Sequence, residues 1–472
     1  MTQKNEIKIE AGTALHFIGL GGIGMSGLAK MYADNGCQVS GSDRGWGQPE
    51  NDRILKPLAE TGIKIFLQDG SFASEVTPDY IVYSTAIEDD NPDFLAAPDI
   101  PRLHRSEALT TAMLNFASGG LVAVAGTCGK TTVTSWLAET LYLAGADPSF
   151  LTGGLVNRFI KESPPGNYRH GKGMFVFEAD ESDKSLLNYA PDISLVLNLG
   201  ADHYSREELV EVFQQFLRQT KRAAVVSDDV LEELGSECVA HLEVKTFSLK
   251  KDSSADWRLT GYQSENGQTV IEVNGSQKIK LPMPGMHSAA NALSILAAGE
   301  LAGLMPELLF EPIENFQGTW RRTDFHGRTA SGAVVYDDYA HNPEKVASCI
   351  RAIKDTVKGK VIALFQPHGF GPLGFMRDEL FTALRESLGK DDIFGLMPVF
   401  YAGGTTSFKP SSQEVADDYR HRGGDNYLCF ASREAADQFI QEKTGPDDAV
   451  VIMGARDNSL SDWAAAITVK LS

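Results

Sequence analysis

Short apolar runs recur along this chain. Most are followed by a stretch whose apolar residues return every three or four positions. Residues 15–18 form the first such run, and a helical pattern at 25–35 lies behind it. Runs at 38–42 and 80–84 follow, then a helical stretch at 106–115. The alternation returns with runs at 120–125, 173–177, 193–197 and 223–227 and helical stretches at 133–144 and 209–217. It returns again with runs at 333–336, 360–365, 393–397 and 449–453 and a helical stretch at 344–354. Apolar runs of this length, spaced by amphipathic helices, predict parallel α/β layers. One stretch departs from the pattern. Residues 257–279 alternate around Asn266-Gly267 and Asn274-Gly275, which predicts antiparallel hairpins, and a small-residue helix is expected at 288–302. Ser118-Gly119-Gly120 marks a boundary. The expected class is α/β in three domains, at 1–117, 118–320 and 321–472.

Composition narrows the partners. The chain has 472 residues, 42% hydrophobic and 22% charged, as in ordinary globular domains. Its net charge of −20 argues against nucleic acid or an anionic membrane as a general partner. The polar N-terminus does not read as a signal peptide, and no apolar run approaches a membrane span. Cys37, Cys128, Cys238, Cys349 and Cys429 are odd in number and scattered, which suggests reduced thiols in a cytoplasm and shows no metal-ligand spacing.

The ends of the predicted strands carry the chemistry. The run at 120–125 leads into Gly126-Thr127-Cys128-Gly129-Lys130-Thr131-Thr132 and then a helix. This is the order of a phosphate-binding loop, although only two residues separate Gly126 from the Gly-Lys pair where the general pattern has four. Glycines turn backbone N–H groups toward phosphate oxygens, and the helix N-terminus adds its dipole. Lys130 is placed to reach outer phosphates, and the Thr131 hydroxyl to ligate Mg²⁺. Two more strands end in acids, Glu178 to Asp183 after one and Asp202-His203 after the other. Glu178 and His203 on the same edge suit Mg²⁺, which keeps few protein ligands beside phosphate oxygens and water. Earlier, Gly19-Leu20-Gly21-Gly22-Ile23-Gly24 follows the first strand, and Asp43 comes 24 residues after Gly19. That is a diphosphate-binding fingerprint which serves NAD or a UDP-sugar equally well. Ser84 and Thr85 close another strand at its C-terminal end, where open α/β sheets bind ligands.

Taken in order, 19–24, 126–132, 178–183, 198–203, 318–322 and 337–343 resemble the Mur ligases of peptidoglycan synthesis over almost the whole chain. Residues 16–27, 40–43, 178–183, 315–318 and 365–368 are similar to the branch of that family that joins L-alanine to UDP-N-acetylmuramate. The resemblance implies a Rossmann-like UDP-binding domain, a central P-loop ATPase-like domain and a Rossmann-like C-terminal domain. It implies an ATP- and Mg²⁺-dependent ligase that forms an acyl phosphate on a UDP-muramic acid and then an amide with an amino acid. Thr131, Glu178 and His203 match the family's metal positions, and Arg322 an arginine that approaches the γ-phosphate. Asp338 matches an acid on the ATP ribose, with Tyr339 and His341 beside it. His287, Asn291 and the loop residues 126–132 would contact the nucleotide. Gly21, Gly22, Ile23, Asp43, Ser84, Thr85 and Arg105 would meet the UDP-sugar, and Tyr339 and His368 the substrates in the last domain. ATP ligands on two domains imply closure before chemistry. A cytoplasmic monomer or homodimer is expected.

Four departures bear on specificity. Cys128 stands where the branch has histidine, and Ser288 follows His287 where the family has asparagine. Residues 338–343 read Asp-Tyr-Ala-His-Asn-Pro, nearer to other members of the family. Residues 369–376, an apolar loop, replace the arginines that follow His368 in the alanine branch. A different amino acid or a muropeptide substrate thus stays open, as does a non-catalytic nucleotide-binding homologue. An NAD-dependent oxidoreductase would rest on the first glycine loop alone.

Overall fold

A computed structural model describes residues 9–48, 51–181, 184–200, 205–265, 268–401 and 408–468. The chain divides into two compact units. One comprises Met1–Gly261, Glu272–Ile279 and Ala289–Thr319, the other Tyr262–Ile271, Lys280–Ser288 and Trp320–Ser472.

The first unit opens with five parallel strands: β1 (Ala14–Ile18), β2 (Gln38–Asp43), β3 (Lys64–Leu67), β4 (Tyr80–Tyr83) and β5 (Arg102–His104). Their order is β3-β2-β1-β4-β5. The order reverses between β1 and β4, so the crevice expected to hold a ligand lies beyond the C-terminal end of β1, where the 19–24 loop sits.

A second sheet has β6 (Leu121–Ala125), β7 (Ser149–Leu151), β8 (Tyr168–Arg169), β9 (Phe175–Glu178), β10 (Ile193–Val196), β11 (Ala223–Ser227) and β12 (Glu243–Ser248). It continues into β13 (Trp257–Glu265), β14 (Gln268–Val273) and β15 (Gln277–Leu281), giving the order β15-β14-β13-β12-β11-β10-β6-β9-β7-β8. The predicted hairpin turn at Asn274-Gly275 has φ of 52° and 76°, the left-handed pair that a two-residue turn demands. Asn266-Gly267 lies outside the described residues. β6 runs between β10 and β9, all parallel. The strand ends carrying the phosphate loop and both acidic segments therefore share one edge.

The second unit is built on β16 (Asp324–Arg328), β17 (Val334–Asp338), β18 (Val361–Phe365), β19 (Ile393–Leu396), β20 (Tyr427–Cys429) and β21 (Ala449–Met453), in the order β16-β17-β21-β18-β19-β20. Only β16 is antiparallel. Strand alternation separates two cores. Val361, Ala363 and Phe365 pack with the helices Pro343–Lys354 and Phe370–Ser387, whereas Ile362 and Leu364 pack with Arg433–Lys443 and Ser459–Ala466. A strand apolar on both faces is one covered on both faces, which is why these runs are continuous rather than alternating.

Three differences from the sequence reading bear on the site. The helix after the phosphate loop begins at Lys130, not at 133, because Gly129 turns with φ 89° and caps it. Asp337 and Asp338 belong to β17 rather than following it. The stretch 369–376 is not a loop but the first two turns of the helix Phe370–Ser387. Gly371, Pro372 and Gly374 conceal it. Proline in a first turn loses no intrahelical hydrogen bond, and a Cβ on Gly374 would approach Pro410 Cδ to 2.9 Å.

Candidate active site

The phosphate loop is tied to the strands beside it. Asn198 accepts the Cys128 N–H on Oδ1 and donates Nδ2 to the Cys128 carbonyl, both at 2.9 Å. Thr127 Oγ1 accepts the Gly200 N–H at 2.8 Å. The histidine-to-cysteine change at 128 therefore leaves the loop's backbone clamp intact. Gly126 and Gly129 have φ of 140° and 89°, where a side chain is strained. A Cβ on Gly129 would stand 3.3 Å from Asn291 Oδ1, which places Asn291 beside the loop. No side chain caps the helix Lys130–Leu143. Helices such as Arg206–Gln219 and Ser412–Gly423 are closed by Ser205 and Ser411. An uncapped first turn keeps N–H donors for an anion.

Lys130 Nζ donates to the Gly126 carbonyl at 2.8 Å and to Glu181 Oε2 at 2.6 Å, with Asp180 Oδ1 3.7 Å away. Burial alone would lower its pKa, but Glu181 and Asp180 outweigh burial and hold it above the ordinary value. Glu178 closes β9. Its Oε1 accepts Thr152 Oγ1 at 2.7 Å and the Gly153 N–H at 2.5 Å, and its Oε2 accepts Thr131 Oγ1 at 3.1 Å. Cis ligands of Mg²⁺ at 2.0–2.1 Å stand about 2.9 Å apart, so the Thr131 hydroxyl and Glu178 Oε2 fit adjacent positions on one ion. His203, the third expected ligand, lies outside the described residues, as do Ser182, Asp183 and Asp202. Sequence reasoning missed Asn198, Thr152 and Gly153. Asn198 acts through its side-chain amide, Thr152 through its hydroxyl and Gly153 through its backbone N–H, each from a position that only the fold brings to the site.

The first glycine loop is also closed by a carboxylate. Asp43 accepts the Gly21 N–H at 2.7 Å and the Gly45 N–H at 2.8 Å. The acid expected at a ribose thus shapes the loop, and a Cβ on Gly21 would come within 2.8 Å of it. Gly22 caps the helix Ile23–Asp34, again with no side-chain cap. Ser84 and the exposed Thr85 lie just past β4, and the nearby Ile87 Cδ1 would stand 3.5 Å from a Cβ on Gly19. Arg105 opens the helix Arg105–Phe116, and its Nη1 lies against Gly24. Gly24, Arg105 and Ser106 line a cleft of about 70 Å³ with Thr152, Gly153, Glu178 and Asp180. Asn167 fixes this meeting of the two sheets, donating Nδ2 to the Ile23 carbonyl at 2.5 Å and to Ser26 Oγ at 2.8 Å.

In the second unit the paired arginines separate in role. Arg321 is buried and donates to the carbonyls of Asp457 and Gly454 at 2.9 and 2.5 Å. Arg322 is half-buried, its guanidinium 5.4 Å from the Tyr339 ring centroid. Asp338 Oδ2 accepts the Thr323 N–H at 2.6 Å and Oδ1 the Ala340 N–H at 2.7 Å. Here too the expected ribose ligand is occupied by its own chain, and burial raises its pKa despite Arg322. Tyr339 and His341 meet edge to face at 5.7 Å, as do His341 and His368. His341 Nδ1 donates to the Tyr339 carbonyl at 2.9 Å, leaving Nε2 as acceptor. Burial pushes His341 down to about 4 and lowers His368 as well, so both rings are neutral near pH 7. His287 sits exposed at the start of the helix Met286–Leu301, its ring 2.7 Å from a Cβ built on Gly285.

Family comparisons agree with this arrangement. The "Mur ligase family, catalytic domain" model matches 14–117, the "Mur ligase middle domain" model 124–299, and the "Mur ligase, glutamate ligase domain" model 321–456. A UDP-N-acetylmuramate–L-alanine ligase of Chelativorans is 31% identical, covering 97% of this chain and 98% of its own. The same-named protein of Saccharopolyspora erythraea is 35% identical over 94% of this chain and 90% of its own. The crystal structure of UDP-N-acetylmuramate–alanine ligase from Thermotoga maritima superposes with a TM-score of 0.75 at 25% identity, covering 96% of this chain and 98% of that one. A murein peptide ligase from Psychrobacter arcticus shares the fold, with a TM-score of 0.70 at 22% identity over 97% and 98% of the two chains. The chain belongs to the Mur ligase family, the ATP-dependent ligases that form amide bonds in peptidoglycan synthesis.

Proposed function

We propose that this ligase activates the carboxylate of UDP-N-acetylmuramic acid and joins it to an amino acid, L-alanine by default. The observation that carries the reading is the cleft lined by both Arg105 and Glu178. Its accessible volume, about 70 Å³, has room for the carboxylate end of a substrate. Arg105 would hold the acceptor's carboxylate there by charge-assisted hydrogen bonds. The uncapped helix behind Gly22 would take the diphosphate, and the N–H groups of 126–132 with Lys130 the ATP phosphates. Thr131 and Glu178, with His203, would hold Mg²⁺, which supplies charge neutralisation on the transferred phosphoryl group. One carboxylate oxygen attacks the γ-phosphorus and ADP leaves. The amino acid's nitrogen then attacks the acyl carbon, and inorganic phosphate departs with the carboxylate's oxygen. In the second unit, Arg322 would meet the γ-phosphate and Asp338 with His341 the nucleoside, Asp338 through acceptor sites its backbone partners leave open. His287 would lie near adenine, and Tyr339 and His368 near the incoming amino acid. Two variants separate the subsites. Arg105→Ala should raise the KM for UDP-N-acetylmuramic acid at least about tenfold and leave ATP binding unchanged. Lys130→Ala should abolish turnover and leave UDP-sugar binding unchanged. An Arg105→Ala enzyme with ordinary KM would contradict the cleft assignment.

A further inference from the structure

In the second unit, beside Asp338 and the turn that carries Arg322, the edge strand pair β16–β17 gathers Asp324, His326 and Asp337. One ligand atom from each lies within 4.8 Å of the others. The backbone arranges this. Asp324 pairs directly with Asp337 across the two strands, and the register shifts between Phe325 and Gly327. A bulge of this kind re-aims the intervening side chain, and His326 is that residue. Its Nε2 stands 3.8 Å from Asp337 Oδ2.

Asp337 is the second, independent observation. Its side chain is 0% exposed, and neither carboxylate oxygen has a hydrogen-bond partner among the described residues. A buried carboxylate left without hydrogen bonds is costly. The nearest cation, Arg321 Nε, is 3.5 Å away, beyond N–H···O hydrogen-bonding distance, and its two terminal nitrogens are spent on the Asp457 and Gly454 carbonyls. Two carboxylates and one imidazole converging within 4.8 Å are a donor set for a first-row divalent cation.

We propose that Asp324, His326 and Asp337 form a binding site for a divalent transition-metal cation of the Zn²⁺ class, separate from the Mg²⁺ position at Thr131 and Glu178. Bound there, the ion compensates Asp337 and fastens β16 to β17. The turn that feeds β16 holds Arg321 and Thr323 at φ of 57° and 50°, strained for non-glycine residues, with Arg322 between them. The site thus steadies the turn that presents Arg322. It does not depend on the ligase reading, since its test measures metal and not turnover.

The test uses the full-length, tag-free protein, stripped with chelator and titrated with Co²⁺ in the absence of nucleotide. Bound metal is read by analysis and by visible absorption, and Zn²⁺ is then added as competitor. One Co²⁺ per chain, displaced by Zn²⁺, is expected in the wild type and in Glu178→Gln. His326→Gln should weaken it at least about tenfold, since removing even an outer-sphere partner of a metal ligand costs that much. Asp324→Asn, on the same edge strand, should do the same and serves where His326→Gln does not fold. A Zn²⁺-dependent rise in Tm should vanish in both. Equal binding in the wild type and in whichever of these variants folds, or no binding at all, would overturn the proposal and leave Asp337 as the counter-ion of Arg321.

Discussion

Lys130 and Glu139 lie on one helix and are buried to opposite effect. Lys130 keeps its charge because Glu181 and Asp180 face it. Glu139 is fully buried, with Arg158 Nε at 2.9 Å and the Gln317 N–H at 3.0 Å on the same oxygen, while its second oxygen has no partner. Burial pushes Glu139 up to about 7, against the pull of Arg158 and the Gln317 N–H. The folded state therefore holds a proton that the unfolded state releases near 4.5. The stability from this site is fully present below about pH 4.5 and is lost as pH rises through 7. Its size is about 3 kcal/mol. Glu139→Gln keeps both acceptor contacts and removes the titration. Its Tm should fall less between pH 5 and pH 8 than the wild type's, and parallel pH profiles of the two would contradict the assignment. At this scale the sequence showed residue types more readily than their partners. Lys130, Thr131 and Glu178 could be singled out as candidates because phosphate chemistry calls for such residues. Asp43 and Asp338, read as ligands, also hold the Gly21, Gly45, Thr323 and Ala340 N–H groups. Spacing showed the acids but not these loop contacts.

One feature recurs among the elements. The helices Ile23–Asp34, Lys130–Leu143 and Phe370–Ser387 each follow the C-terminal end of a parallel strand, each begins at a glycine, and none has a side-chain cap. Central strands such as Val361–Phe365 were readable because they are apolar on both faces, whereas short or edge strands such as Lys64–Leu67, Tyr168–Arg169 and Asp324–Arg328 were not read. The third of these helices was hidden by its two glycines and its proline. Its recovery alters the specificity argument. Gly369, with φ 155° and Pro372 Cδ 3.2 Å from a built Cβ, tolerates a side chain poorly, but Gly371 opens onto free space. Gly371→Arg therefore tests whether a cation at this helix start selects the amino acid. It should raise kcat/KM about tenfold for amino acids relative to the matching amines that lack the carboxylate, the worth of one charge-assisted hydrogen bond. An unchanged preference profile would remove this helix from the specificity argument.

At the scale of the whole molecule, the α/β class, the family and the alternation of strands and helices were legible from the sequence. Their motifs sit at strand ends and keep their order along the chain. The packing of one sheet on another was not. Within the first unit it depends on Gly27, where a Cβ would press within 2.5 Å of Leu151 Cδ1, and on Asn167 reaching Ile23 and Ser26. Gly27 closes the 16–27 motif without revealing this role and Asn167 belongs to no motif, yet together they bring Arg105 and Glu178 to one cleft. The central claim is that this cleft serves an ATP-driven ligation of UDP-N-acetylmuramic acid. The most direct measurement is phosphate release from ATP and Mg²⁺ with UDP-N-acetylmuramic acid across a panel of amino acids, with product masses determined. The account predicts release that requires both the UDP-sugar and an amino acid, alanine first among them, with a mass gain equal to that amino acid less one water. Measurable ATP binding without release for any amino acid would contradict it.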